Sequence, residues 1–261
     1  MKEGVTTRRA CHIMSVSISM LYYARTPERD QELRERLREV AGPGIGYRMA
    51  RALVLSKSPQ MGRLNHKRVY RLWKQEQLTR EKTRKKQRSG AKVPLAATGA
   101  NQVWCLDFCH DACLNGTKLK VLAIKDEYTR ECLALEVATK IDSHRVRAIL
   151  ERLMQECGAP QFLRSDNGPE FIARHLSLWL RSQGSHSRFI QPGAPWQNGH
   201  AESFMARLRA ECLDAEVFYN LADAKLKLSL FRSYYNQERP HSALGYIPPA
   251  QFAQQIKEQS G

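Results

Sequence analysis

The chain has 261 residues, 42 Lys plus Arg against 26 Asp plus Glu, a formal net charge of +16 at pH 7, and 42% hydrophobic residues. That length accommodates one full core plus a small helical unit, and the lack of any apolar run near the roughly 20 residues that span a bilayer excludes a membrane-spanning helix. The charge is lopsided: residues 1–100 carry 23 basic against 8 acidic side chains, a net of +15, whereas 101–261 carry 19 against 18, a net of +1. An N-terminal excess of this kind suits phosphate backbone, bound with steep salt dependence and little sequence choice; taken alone it would equally suit a ribosomal or membrane-surface partner.

In chain order, residues 10–13 and 18–23 flank a short polar stretch and read as helix, turn and helix. The usual turn glycine is missing, so the pair is either a DNA-reading helix-turn-helix or a small packing hairpin. Pro27 and Gly42-Pro43-Gly44 bracket a charged helix whose apolar face is only Leu33, Leu37 and Val40, a narrow stripe that needs a partner. Asn65 is placed to cap the next helix, with Val69, Leu72 and Trp73 inward and Lys67, Arg71 and Lys74 outward. With Arg68, these outward cations are candidate DNA contacts. Apolar periodicity vanishes over 79–100, where Arg80, Lys82, Arg84, Lys85, Lys86 and Arg88 crowd together. This reads as a linker, disordered when free, that either lies along DNA through Arg84, Lys85 and Lys86 or is a solvated tether. The predicted divisions are a basic helical region 1–78, a linker 79–100, a core 101–253 and a tail 254–261.

The core opens with predicted strands at 103–109, 120–124 and 132–138, the last two separated by the polar turn Asp126-Glu127-Tyr128-Thr129-Arg130. Val146, Ile149, Leu150, Leu153, Met154 and Cys157 then recur at helical spacing, with Ser143 as expected N-cap and Gly158 as stop. A fourth strand, 162–165, leads into Asp166. Phe171, Ile172, Leu176, Trp179 and Leu180 predict one further helix ending near Gly184, followed by a short strand at 188–190 and a loop at 191–196 rich in Pro and Gly. A long helix is expected over 197–213. On it Glu202 and Arg209 would share a face about 10 Å apart along the axis, making Arg209 either a DNA contact or a solvated charge paired with a nearby acid.

Asp107, Asp166 and Glu202 thus fall on a strand, just after a strand, and on a helix. Each alone has an ordinary explanation as a strand-end, turn or solvated helix residue. Together they suit divalent-metal phosphoryl transfer, in which two cations about 3.5–4 Å apart clamp the attacking and leaving oxygens of a phosphodiester. Hard cations such as Mg²⁺ or Mn²⁺ take oxygen ligands, and three carboxylates gathered without metal would repel one another. The cluster therefore implies its own cofactor, two ions per site.

Trp104-x-x-Asp107-Phe108, Asp126-x-x-Thr129-Arg130, Ser165-Asp166-Asn167-Gly168-Pro169-Glu170-Phe171, Gln197-Asn198-Gly199 with Glu202-Ser203-Phe204, and Tyr235-Asn236-x-x-Arg239-Pro240-His241-Ser242-Ala243-Leu244-Gly245-Tyr246 together resemble the DDE integrase core of OrfB-type insertion-sequence transposases, within the retroviral-integrase superfamily. Gly46-Tyr47-Arg48 and residues 65–73 are similar to the segment that precedes that core. The resemblance implies an α/β, ribonuclease-H-like fold: a mixed five-stranded sheet with flanking helices, preceded by a small basic all-helical region. It implies a metal-dependent polynucleotidyl transferase that cleaves and transfers DNA strands, with Asp107, Asp166 and Glu202 as catalytic metal ligands. Asn167 and Asn198, inside these motifs, are candidate DNA contacts. Met205-Ala206 stands where Asn-Gly follows Glu-Ser-Phe in many relatives, away from the acids but along the same helix.

The expected partners are double-stranded DNA, as element ends and as target, further copies of the chain on that DNA, and an upstream-frame segment fused to it. Two other readings stay open: a structure-selective nuclease of the same fold, and a DNA-binding protein whose core is inert or completed only by fusion. Seven cysteines without a Cys-x-x-Cys pair or a His-His-Cys-Cys module give no zinc site. An odd count and no signal peptide suit reduced thiols in the bacterial cytoplasm, with nucleoid association when bound to DNA.

Overall fold

The computed structural model describes residues 6–22, 28–79, 96–191 and 195–260; the predicted DNA contacts Arg84, Lys85 and Lys86 lie outside them. In the N-terminal region, α1 (Thr7–Ile13) and α2 (Ile18–Leu21) are joined by a turn in which Ser15 takes φ +53°. Cys11 is buried, but Ile13, Met14, Met20, Leu21 and Tyr22 are exposed. At four residues α2 rises only about 6 Å, so the described part of this stretch is a short helical hairpin, one of the two readings left open by the sequence.

The narrow stripe of α3 (Glu28–Val40) finds its partner within the same region. Leu33, Leu37 and Val40 pack with Ala50, Leu53 and Val54 of α4 (Tyr47–Lys57) and with Val69, Leu72 and Trp73 of α5 (His66–Gln75). Asn65 caps α5 as expected, its Oδ1 accepting the Lys67 N–H at 2.8 Å. Ion pairs fasten α3 along α5: Asp30 accepts from Arg68 and Arg71, each at 2.7 Å, and Glu76 receives both Arg34 and Arg38. The loop before α4 approaches the segment after α9 through Gly44, whose φ of +78° favours glycine and where a Cβ would lie 2.1 Å from Glu211 Oε1.

The central sheet follows from alternation in its strands. In β2 (Lys118–Asp126), Leu119, Val121 and Ala123 enter one buried cluster while Leu122 and Ile124 enter another, so both faces are covered. Antiparallel partners flank β2: β1 (Val103–Ala112), with Asp107 opposite Ala123, and β3 (Cys132–Ala138), with a register shift at Ile124/Lys125. Parallel pairing then adds β4 (Phe162–Ser165) to β1 and β5 (His186–Phe189) to β4, giving the order β3-β2-β1-β4-β5. This is the expected mixed five-stranded sheet.

On one face lie α6 (Ser143–Cys157), α7 (Pro169–Ile172) and α8 (Arg174–Ser182), packed through Val146, Ile149, Leu150, Leu153, Phe171, Leu176, Trp179 and Leu180. The cap of α6 is Asp142, whose carboxylate accepts the Arg145 N–H at 3.0 Å; Ser143 is the first helical residue instead. The single helix expected after Pro169 is two, because Ala173 turns extended at ψ +126°. On the other face lie α9 (Gly199–Leu208) and α10 (Leu221–Gln237), through Phe204, Leu208, Leu228, Phe231 and Tyr235. The helix expected to run straight to residue 213 changes to a π-turn at Arg209–Leu213, and α11 (Pro249–Ser260) carries helix through most of the predicted tail. No helix among the described residues is long and apolar enough to cross a membrane. All seven cysteines are free thiols.

Candidate active site

Cys105, Asp107 and Cys109 alternate onto the α9 face of β1, while Trp104, Leu106 and Phe108 join the opposite cluster. A central strand paired on both sides gives Asp107 a rigid support. Its Oδ1 accepts the Phe108 N–H at 2.8 Å. Burial pushes the Asp107 carboxyl up to about 6; the Phe108 amide opposes that shift, and the charges of Asp166 and Glu202 add to it. Asp107 therefore lies within the field of two acids far from it in sequence.

Asp166 begins the turn at the end of β4. Its Oδ1 accepts the Gly168 N–H at 3.1 Å, closing an Asx-turn, and a Cβ on Gly168 would stand 3.1 Å from that oxygen. The turn is clamped beyond Gly168. Glu170 pairs with Lys120 of β2, whose ammonium sits 4.2 Å from the centroid of the Phe108 ring, and Phe108 stacks on Phe171 with centroids 4.9 Å apart. Lys120 also donates to the Ile141 carbonyl at 3.1 Å, tying the same point to the entry of α6.

Glu202 lies in the first turn of α9, half-buried. Asn198 fixes that end of the helix: only 3% exposed, it donates from Nδ2 to the Leu106 carbonyl at 3.2 Å. Asn198, expected as a DNA contact, here ties α9 to the strand that bears Asp107. Asn167 is exposed and donates to the Ile190 carbonyl at 2.8 Å, joining the Asp166 turn to the end of β5. Arg209 reaches the His110 carbonyl at 3.3 Å and Asp214 at 3.5 Å. Arg209 follows directly on α9 in helical conformation, and the π-turn begins with it. Lys67 and Lys74 are exposed on α5, whereas Arg68 and Arg71 turn towards Asp30.

Sequence reasoning passed over several groups that hold the site in place. Glu127 and Arg164, 1% and 5% exposed, form a buried pair with Nη1 at 2.7 and 2.8 Å from the two carboxylate oxygens, beside the strand that leads to Asp166. Asp126 is the hub of its turn, accepting N–H groups of Asn101 at 2.7 Å, Tyr128 at 2.7 Å and Thr129 at 2.8 Å. A legible signal was present in Arg164 and Glu127, since charged residues inside or beside apolar strands are rarely buried unless paired.

Among the described residues no three His, Cys, Asp or Glu side chains stand in a closed metal-holding group. Asp107 nonetheless lies in the field of both Asp166 and Glu202. The trio's chemistry fits a hard divalent cation: every donor is a carboxylate oxygen, and the side chains acting on Asp107 are both acids. A cation bound among them would reverse the sign of that field.

Integrase core domain models match the chain over residues 97–195 and 183–249, the first stretch holding Asp107 and Asp166 and the second Glu202. The chain is 38% identical over 259 residues to the insertion element IS407 uncharacterized 31.7 kDa protein of Burkholderia multivorans, covering 97% of this chain and 92% of that protein. It is 28% identical over 242 residues to transposase InsD for insertion element IS2 on the F plasmid of Escherichia coli, covering 87% of this chain and 79% of that one. The fold is similar to a chain of the simian T-cell lymphotropic virus intasome solved with a PP2A regulatory subunit, at a TM-score of 0.55 and 14% identity over 77% of this chain and 73% of that chain.

Proposed function

Because the chain belongs to the integrase-core transposases of insertion elements, we propose that it cuts DNA strands at the ends of such an element and joins them to target DNA, with Mg²⁺ or Mn²⁺ as cofactor. The observation that carries this reading is that Asp107, on a central strand, is acted on by the charges of both Asp166, in a strand-end turn, and Glu202, on an anchored helix. Two divalent ions held by this trio would activate the attacking oxygen and stabilise the leaving one.

The chain's own residues supply position. Asp107 is fixed by strand pairing on both sides, Asp166 by its Asx-turn and the Lys120–Glu170 clamp, and Glu202 by the Asn198 tether to β1. Attack comes from water in cleavage and from a DNA 3′-hydroxyl in joining, so no Tyr or Ser of the protein becomes bonded to DNA. Joining needs two DNA ends held together, and hence more than one protomer on the DNA. Lys67, Lys74 and the other cations of the N-terminal hundred residues would hold the backbone by charge. That substrate places the protein with bacterial DNA in the cytoplasm.

The test is strand transfer of a labelled duplex carrying the element's ends, in Mg²⁺ or Mn²⁺, with wild type and Glu202→Gln. Joined product is expected from wild type and should fall by about a thousandfold or more in the variant, the equivalent of about 4 kcal/mol of transition-state stabilisation, while duplex binding persists. Cutting without joining would favour the structure-selective nuclease. Binding alone in both proteins would favour a core completed by fusion, and a protein–DNA adduct through Tyr or Ser would overturn the mechanism.

A further inference from the structure

The two motifs that the catalytic trio does not use, Asp126-x-x-Thr129-Arg130 and the stretch from Tyr235 to Tyr246, come together behind α9. They bring Lys125, Arg130, Tyr235 and His241 beside Arg207, which projects from α9. Lys125 is 2% exposed, Tyr235 0% and His241 6%, so these three side chains are enclosed by protein, while Arg130 and Arg207 are half-buried. The nearby carboxylates are committed elsewhere: Glu127 to Arg164, Glu211 to Arg239 at 2.7 and 2.6 Å, and Asp126 to three backbone amides.

What remains is a set of unmet polar atoms, donors among them, beside several cations. Arg130 Nε, the Tyr235 hydroxyl and both His241 nitrogens are buried without a hydrogen-bond partner. Lys125 directs its ammonium at the Phe204 ring, 5.8 Å from the centroid, and Arg207 makes a bond of 3.3 Å to the Ser203 carbonyl. Arg130 also meets the ring of His200, which faces the cluster from α9. Burial and the neighbouring cations push Lys125 down to about 8 and His241 down to about 3, so the His241 imidazole is neutral, with one N–H and one acceptor nitrogen. The Lys125 ammonium, buried with no ion pair among the described residues, and the unmet Arg130 Nε–H and His241 N–H are each costly. One small acceptor of negative charge would relieve both.

We propose that Lys125, Arg130, Tyr235 and His241 form an internal site for a small monovalent inorganic anion of chloride size, which neutralises the cations behind α9 and so braces the helix that carries Glu202. A phosphodiester or an organic carboxylate is too bulky to reach Lys125, Tyr235 and His241, the three enclosed members of the set. Water is the competing occupant, because it too can accept from these donors, but it leaves the positive charge uncompensated.

The measurement is thermal unfolding of the full chain at constant ionic strength, with chloride or bromide exchanged for glutamate, beside the same series in sulfate. Chloride and bromide should each raise the melting temperature saturably, by about 2–4 °C at a few-fold excess over Kd, and Lys125→Met should abolish that halide dependence. Equal melting in chloride and glutamate would overturn the site in favour of water. Stronger stabilisation by sulfate than by halide would overturn it in favour of binding to the basic surface. If Lys125→Met does not fold, ³⁵Cl relaxation of the wild type decides: excess broadening displaced by bromide is expected, and its absence refutes the proposal.

Discussion

Replacing Arg164 by leucine is expected to destabilise the folded protein by about 3–5 kcal/mol, the range for removing one partner of a buried ion pair. Glu127, 1% exposed, would be left without the guanidinium that holds it. Burial already pushes Glu127 up to about 7 against the opposing pull of Arg164, and without that pull it rises further. The sign follows from linkage: a carboxyl whose folded value lies above its unfolded one gives stability that is present at low pH and lost as pH rises through the folded value. The variant should therefore approach wild type near pH 5 and fall well below it near pH 8.5. Urea denaturation at both values checks this, and a loss under about 1 kcal/mol that is the same at both would show that the pair does not hold β4. Because β4 leads directly into Asp166, the variant should also join DNA poorly where it remains folded.

Asp107→Asn should separate stability from activity. Strand joining is expected to drop by about a thousandfold or more, since a metal ligand at the centre of the trio is lost. Without metal, however, the variant should be the more stable protein at pH 8. Wild-type Asp107 is raised from 3.8 to about 6 by burial first and by Asp166 and Glu202 besides, so ionising it opposes folding. At about 1.4 kcal/mol per pKa unit the penalty is up to about 3 kcal/mol, developing as pH rises through 6 and vanishing below 4. Melting curves with and without Mg²⁺ read this directly: the ion should stabilise wild type and leave the variant nearly unchanged. A variant less stable than wild type in metal-free buffer at pH 8 would mean that the carboxylates are compensated by something other than metal.

Much of the site was legible because its elements carry local signals. β3 and β4 lie where alternation placed them, and Asp107, Asp166 and Glu202 occupy the strand, turn and helix expected of them. The stripe of Leu33, Leu37 and Val40 announced a need that α4 and α5 meet. What escaped was decided by tertiary contact. Asp142 and Ser143 are both good caps, and the path from β3 into α6 selects the carboxylate one residue earlier. Ala173 breaks a helix without Pro or Gly, because Phe171 must reach Phe108 while Leu176 and Trp179 pack lower on the same sheet.

The π-turn at 209–213 has the same origin, since Cys212 and Leu213 are buried beside α10 and Arg209 is drawn to the end of β1. Pairs such as Lys120–Glu170 and Arg239–Glu211 join residues tens of positions apart, and no local pattern encodes them. Asn198 shows the limit most plainly. Its motif marked it as important, but only the fold shows that its side chain turns inward to β1.

The central claim is that Asp107, Asp166 and Glu202 act together as a metal site, and counting Mn²⁺ bound per protomer by electron paramagnetic resonance at pH 8 tests it most directly. Wild type should bind about two ions per chain, and Asp107→Asn, Asp166→Asn and Glu202→Gln should each lose that binding while melting cooperatively. Mn²⁺ bound equally by wild type and all three folded variants would contradict the account, because the metal would then be held elsewhere.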